Sequence, residues 1–161
     1  PSRNWHTQGY IDLVNYLHQQ GKQVALIGSP AANEVTLANQ IATAADKTPL
    51  NLAGKTNLIQ LLALIQTAQL LIAPDTGPAH MATLVDTPVI GLYAAQSPQR
   101  TGPYKSLDKV VSVYDDALLA ETGKTLEEVS WRTRVKAEDA MQRIKLEDVI
   151  EELKEVQNEQ T

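Results

Sequence analysis

One stretch of this sequence, Pro74-Asp75-Thr76-Gly77-Pro78-Ala79-His80, concentrates residue types that can do chemistry. A glycine lets backbone approach a ligand closely, and proline suits the first position of a helix, so the spacing predicts a strand, a tight loop and a helix start. Backbone amides free at a helix start, with the positive end of its dipole, make a site for a diphosphate. His80 falls in the first turn, where its ring can donate a hydrogen bond to a sugar or phosphate oxygen. Taken by pattern alone, the same residues also describe a turn with an aspartate cap and a surface histidine. The Asp-Thr-Gly triplet is shared with aspartic proteases, but those pair two such carboxylates in an all-β fold. Here the triplet is single and leads into a helix.

Two other loops carry candidates. Gly28-Ser29-Pro30 leads to Glu34, a carboxylate able to accept hydrogen bonds from ribose hydroxyls, or simply a solvated acid at a helix start. The run from Gln96 to Tyr104 is rich in turn formers yet holds Arg100, whose guanidinium can fork onto an anion; otherwise it is an exposed connection. Arg3 and Trp5 precede the first helical stretch and read, on their own, as ordinary terminal residues.

The elements that must position these residues alternate. Thr7 to Gln20 has a helical apolar stripe (Ile11, Val14, Leu17) ended by Gly21, and Gln23 to Ile27 is a short apolar run expected to be a strand buried on both faces. Asn33 to Ala45 reads as helix and Leu50 to Ala53 as strand. Thr56 is then expected to cap a helix with Leu58, Leu61, Leu62 and Ile65 on one side. Strands are expected at Leu70–Ala73, Pro88–Ala94 and Lys109–Tyr114, and a terminal helix at Lys145–Asn158 with Leu146, Val149, Ile150, Leu153 and Val156 inward. Strands alternating with helices of this length predict an α/β, Rossmann-like parallel sheet with helices on both faces. In such a sheet, ligands bind beyond the carboxyl ends of the strands, where all three loops lie.

Composition narrows the function classes. The 161 residues contain no cysteine, which excludes a disulfide scaffold and a thiol nucleophile, and three scattered histidines offer no metal-ligand spacing. A net charge of −5 argues against a nucleic-acid surface. That charge is uneven: residues 1–106 hold six basic and five acidic residues, whereas 107–161 hold eight and fourteen, so a phosphate-bearing ligand is expected near the first two-thirds. No apolar run approaches the ~20 residues of a membrane span. Pro1 in place of an initiator Met leads to the expectation of a piece of a longer product.

Three runs in order, Asn51 to Leu58, Asp75 to Ala82 and Ser97 to Tyr104, together with Arg3-Asn4-Trp5 and Gly28-Ser29-Pro30, closely resemble the bacterial ADP-heptose:lipopolysaccharide heptosyltransferases. The tail from Val113-Tyr114 through Trp131-Arg132-Thr133-Arg134 to Met141 and Ile144 resembles them too. The resemblance implies one half of a GT-B glycosyltransferase, the carboxyl-terminal donor-binding domain, over residues 1–144, with residues 145–161 a terminal helix packing on it or crossing from it. The acceptor domain and the catalytic base would lie outside this chain, leaving it inactive alone. By the same likeness, Asp75 and His80 would hold the heptose, the Thr76 and Gly77 backbone the diphosphate, Arg3 phosphate charge and Glu34 the ribose. Lys55 and Thr56 would border adenine, and Arg100 would serve the acceptor side or a phosphate. His6, where a proline is common, and Lys105, where a glycine is common, depart from the family pattern.

The implied reaction is inverting transfer of heptose from ADP-heptose to the lipopolysaccharide inner core, at the cytoplasmic face of the inner membrane with peripheral membrane contact. Neither metal nor cofactor is expected, since no Asp-x-Asp pair is present to clamp one on the diphosphate. The competing readings are a non-catalytic nucleotide-binding module and a related GT-B transferase using another sugar nucleotide. A dinucleotide-dependent oxidoreductase lacks its Gly-x-Gly-x-x-Gly signature here.

Overall fold

A histidine starts the first helix. Nδ1 of His6 accepts the Gly9 amide at 2.8 Å, satisfying one of the donors a helix start leaves open, and α1 runs Thr7–Gln19. Gly21, in the left-handed region at φ +72°, turns the chain out of it. The computed structural model describes residues 3–161, so Pro1 and Ser2 lie outside the described residues. These residues divide into two compact units, one of residues 6–63 and one of residues 3–5 with Leu64–Thr161.

In the first unit α1 is followed by β1 (Ala25–Leu26), α2 (Ala32–Ala44) and β2 (Leu50–Asn51). Ile11, Val14 and Ile41 form its apolar centre, with Val24, Leu26 and Leu37 packed around them. The expectation of a strand buried on both faces is corrected: Ala25 is exposed. Val24 and Leu26 face the helices and the residue between them points away, which is the period of two that a strand with one covered face obeys. β1 and β2 pair in parallel, Ala25 opposite Leu50, and the pairing continues past their ends through Leu52 N–H to Leu26 O and Gly54 N–H to Gly28 O, both 2.9 Å.

Helix α3 spans Leu58–Thr67, and the division between the units falls within it. Its cap is Asn57, not Thr56. The Asn57 side-chain oxygen accepts the Gln60 amide at 2.8 Å while the Gln60 side chain accepts the Asn57 amide at 3.0 Å, a reciprocal arrangement that a threonine one residue earlier cannot reach. Leu58, expected on the inward side, is 72% exposed, whereas Ile65 is buried.

The second unit contains β3 (Leu71–Pro74), α4 (Gly77–Leu84), β4 (Val89–Tyr93), α5 (Pro98–Thr101), β5 (Val110–Ser112), α6 (Tyr114–Thr122) and α7 (Leu146–Glu159). Its sheet has the order β3-β4-β5, all parallel, with Ala73 opposite Gly91 and Gly91 opposite Val110. Every residue of β4 is buried. Helix α4 packs on β3 and β4, with Ala79 and Ala82 fully buried, and α7 packs on β4 and β5 with Val149, Leu153 and Val156 inward. Trp5 is no loose terminal residue. It is 2% exposed, and its indole N–H donates to the Ile144 carbonyl at 3.0 Å, tying the start of the chain to the segment before α7. Among the described residues all strand pairings are parallel, as the alternation of elements predicts, and they fall into two sheets. No described helix is long and apolar enough to cross a membrane.

Candidate functional site

In the second unit the register of β3 and β4 sets Pro74 opposite Leu92, so the loops that follow these strands leave the same edge side by side. Thr76 is extended (φ −143°, ψ 165°) and is the residue before α4, but its hydroxyl donates to the Pro74 carbonyl at 3.2 Å instead of capping the helix. Asp75 does not cap it either. Among the described residues no protein acceptor takes the backbone amides of Thr76 and Gly77, so both donors at the helix start are left unengaged. A Cβ built on Gly77 meets nothing within 4 Å, and the residue lies outside the left-handed region. The glycine is therefore not demanded by the turn, and the space a side chain would take there is open.

The Asp75 side chain, 17% exposed, instead reaches across to the β4 loop. Its Oδ2 accepts from the Gln96 side-chain nitrogen at 2.9 Å, and the Gln96 oxygen accepts from Nη2 of Arg100 at 3.1 Å. His80 is 57% exposed with Nε2 at 3.8 Å from Asp75 Oδ1, beyond hydrogen-bond distance but beside the oxygen that Gln96 leaves free. Arg3, Asp75, Tyr93, Gln96 and Met141 line a small pocket open to solvent. The Tyr93 hydroxyl donates to the Thr101 carbonyl at 3.1 Å. Burial first, and the Asp75 carboxylate second, push its ionisation well above the ordinary tyrosine range, so it is a neutral donor at physiological pH. The loop is braced from outside by the Val135 amide, which donates to Ala95 O at 3.0 Å.

The reading of Gln96–Tyr104 as a plain exposed connection is thus overturned at its start. Gln96 and Ser97 are buried and Arg100 is half-buried, while Tyr104 is exposed. Gln96 is the residue that sequence reasoning missed. A glutamine in a turn-rich run carries no signal of its own, and only its place two residues after a buried strand could have singled it out.

The first unit gathers the other candidates at the carboxyl edge of β1 and β2. Glu34 is not merely solvated: its Oε2 accepts the Ser29 amide at 2.6 Å, and a Cβ on Gly28 would stand 3.1 Å from that oxygen. The Lys55 ammonium donates to the Asn51 carbonyl at 3.0 Å, and Thr56 is half-buried beside it. Gly54, at φ +70°, brings this loop against Pro30, where a Cβ would come within 3.2 Å of backbone. Glu34 and the Lys55–Thr56 turn therefore share one edge. Among the described residues no cluster of three or more His, Asp or Glu side chains is placed to hold a metal ion.

Parallel α/β units with their candidate residues on the carboxyl edges are the arrangement of Rossmann-like nucleotide-binding proteins, and solved glycosyltransferases share this fold. Over 100% of this chain and 44% of its own, the E. coli ADP-heptose lps heptosyltransferase II superposes with a TM-score of 0.75 at 26% identity. The chain belongs to glycosyltransferase family 9 (heptosyltransferase), whose family model matches residues 1–131. Among curated relatives, the lipopolysaccharide core heptosyltransferase OpsX of Haemophilus influenzae is 44% identical over 154 residues, which cover 96% of this chain and 44% of that protein. Lipopolysaccharide heptosyltransferase 3 of E. coli K12 is 38% identical over 92 residues, 56% of this chain and 27% of the relative. The chain thus spans less than half the length of these relatives.

Proposed function

We propose that this chain is the donor-binding part of a heptosyltransferase that moves heptose from ADP-heptose to the lipopolysaccharide inner core with inversion. The observation that carries the reading is the pair of unengaged amides at Thr76 and Gly77, directly after Asp75, whose side chain lines a pocket with Arg3. Two N–H groups and the positive end of a helix favour a diphosphate and favour it more as ADP departs and charge builds on it. Arg3 adds a cation. Asp75 and His80 hold sugar hydroxyls, since a carboxylate next to a diphosphate is repelled by it. The acceptor and the general base that deprotonates it belong to the remainder of the enzyme that the relatives carry, working at the cytoplasmic face of the inner membrane.

Calorimetric titration of the chain with ADP, UDP, GDP and NAD tests the donor class. Binding of ADP in preference to the others, without transfer activity from this chain alone, is the expected result. A preference for UDP or NAD overturns the reading.

A further inference from the structure

Gln96 is 7% exposed, and both ends of its amide are engaged by charged groups: Asp75 on one side, Arg100 on the other. Its orientation is dictated by chemistry. A carboxylate only accepts and a guanidinium only donates, so the amide nitrogen must face Asp75 and the oxygen must face Arg100. Two consequences follow from this placement. With Oδ2 held at 2.9 Å, the Asp75 carboxylate cannot rotate freely, and Oδ1 is left on the His80 side. With one nitrogen held by a neutral amide in place of a carboxylate, Arg100 is kept out of an ion pair with Asp75, and among the described residues its other nitrogens donate to no protein group.

We propose that Gln96 is a positioning residue for the sugar end of the donor: it aims Asp75 Oδ1 at the sugar hydroxyls and holds Arg100 apart from Asp75 with its charge available to an anion. The proposal rests on the donor reading above and deepens it. Gln96 acts through Asp75, so its effect should exist only while Asp75 is present.

The test titrates this chain with ADP and with ADP-heptose, following thermal melting in parallel. Wild-type chain binds ADP-heptose more tightly than ADP. Gln96→Leu, close in size but without either hydrogen bond, lowers that sugar-dependent preference by about tenfold, the scale of one hydrogen bond to a charged group. Gln96→Glu keeps an acceptor for Arg100 but sets carboxylate against carboxylate, and lowers the preference at least as far. In an Asp75→Ala background, Gln96→Leu changes the ADP-heptose to ADP ratio no further. Equal losses for both ligands accompanied by a lower melting temperature would make Gln96 a packing residue and overturn the proposal, as would losses that add independently of Asp75. A wild-type chain that binds neither nucleotide overturns the donor reading and the positioning role with it, whereas wild-type binding with additive losses overturns the positioning role alone.

Discussion

Gly77→Ala should stabilise the protein and weaken its nucleotide binding at once. The added methyl meets no protein atom within 4 Å, and Gly77 lies outside the left-handed region, so the folded state accepts alanine without strain. At a compatible position, replacing glycine removes unfolded-state entropy and is worth about 0.4–1 kcal/mol. For a chain of this size that corresponds to a rise in melting temperature of about 1–4 °C. Binding responds the other way. With a diphosphate on the Thr76 and Gly77 amides as proposed, a methyl at this position crowds its approach and is expected to cost one of the two hydrogen bonds. Loss of one hydrogen bond to a charged group costs about 1.5–3 kcal/mol, a fall in ADP affinity of about 10- to 150-fold. Gly77→Val should lose more, having two methyls to place. Differential scanning calorimetry and ADP titration on the same preparations measure both quantities. Unchanged ADP affinity would show that the diphosphate sits elsewhere, and a lowered melting temperature would show that the space above Gly77 is not open.

Asp75→Ala should reduce affinity for ADP-heptose while affinity for free ADP holds or improves; calorimetry that finds equal losses for the two ligands would return Asp75 to a structural role. In the complete enzyme, Arg100→Ala should slow turnover by removing a charge-assisted contact worth about 1.5–3 kcal/mol, with Arg100→Lys recovering part of it, because lysine offers a point charge without the fork; wild-type steady-state kinetics for the alanine variant would make the residue a connector. Trp5→Phe strands the Ile144 carbonyl in a buried setting and should cost about 1–3 kcal/mol by denaturant titration, while a variant as stable as wild type would show that the carbonyl finds another donor. Hydrogen bonds to Glu159 and then Asp108 raise the Lys109 ammonium to about 12, so its contribution to stability is complete below its unfolded value of about 10.4 and is lost as pH rises through about 12. The stability gap between wild type and Lys109→Met should therefore close over that range, and denaturant titrations giving a constant gap across it would refute the assignment.

The elements and the Asp75 loop were legible because each is announced locally. Period in the apolar residues marks α1, α2 and α7, and proline with glycine after an apolar run marks the turn from β3 into α4. What escaped depends on which particular partner each residue meets in the fold. The burial of Trp5 is set by Ile144, 139 positions away. The one-sided burial of β1 follows from which of its residues meet α1 and α2, and sequence hydrophobicity does not distinguish a run covered on one face from a run covered on both. Between Thr56 and Asn57 the choice of cap turned on Gln60, which completes the reciprocal bonds only for asparagine at the position directly before the helix. Gln96 was hidden for a stronger reason: its importance lies wholly in the two charges it separates, neither of which adjoins it in sequence.

On the proposed donor reading, charge placement explains how one loop could serve two chemically opposed ends of the same donor. The amides of Thr76 and Gly77 supply positive potential without an ionisable group, so they attract a diphosphate at any pH. Asp75, one residue earlier, is the carboxylate lining the pocket, and the Tyr93 hydroxyl behind it is kept neutral by burial and by Asp75 itself. Were Arg100 paired directly with Asp75, both charges would be spent on each other. The neutral amide of Gln96 between them leaves a carboxylate oxygen facing hydroxyl donors and a guanidinium with donors to spare for an anion, within a span of two hydrogen bonds of 2.9 and 3.1 Å. A sugar nucleotide presents these two demands together, hydroxyls that donate and phosphates that accept, whereas a bare anion presents only the second.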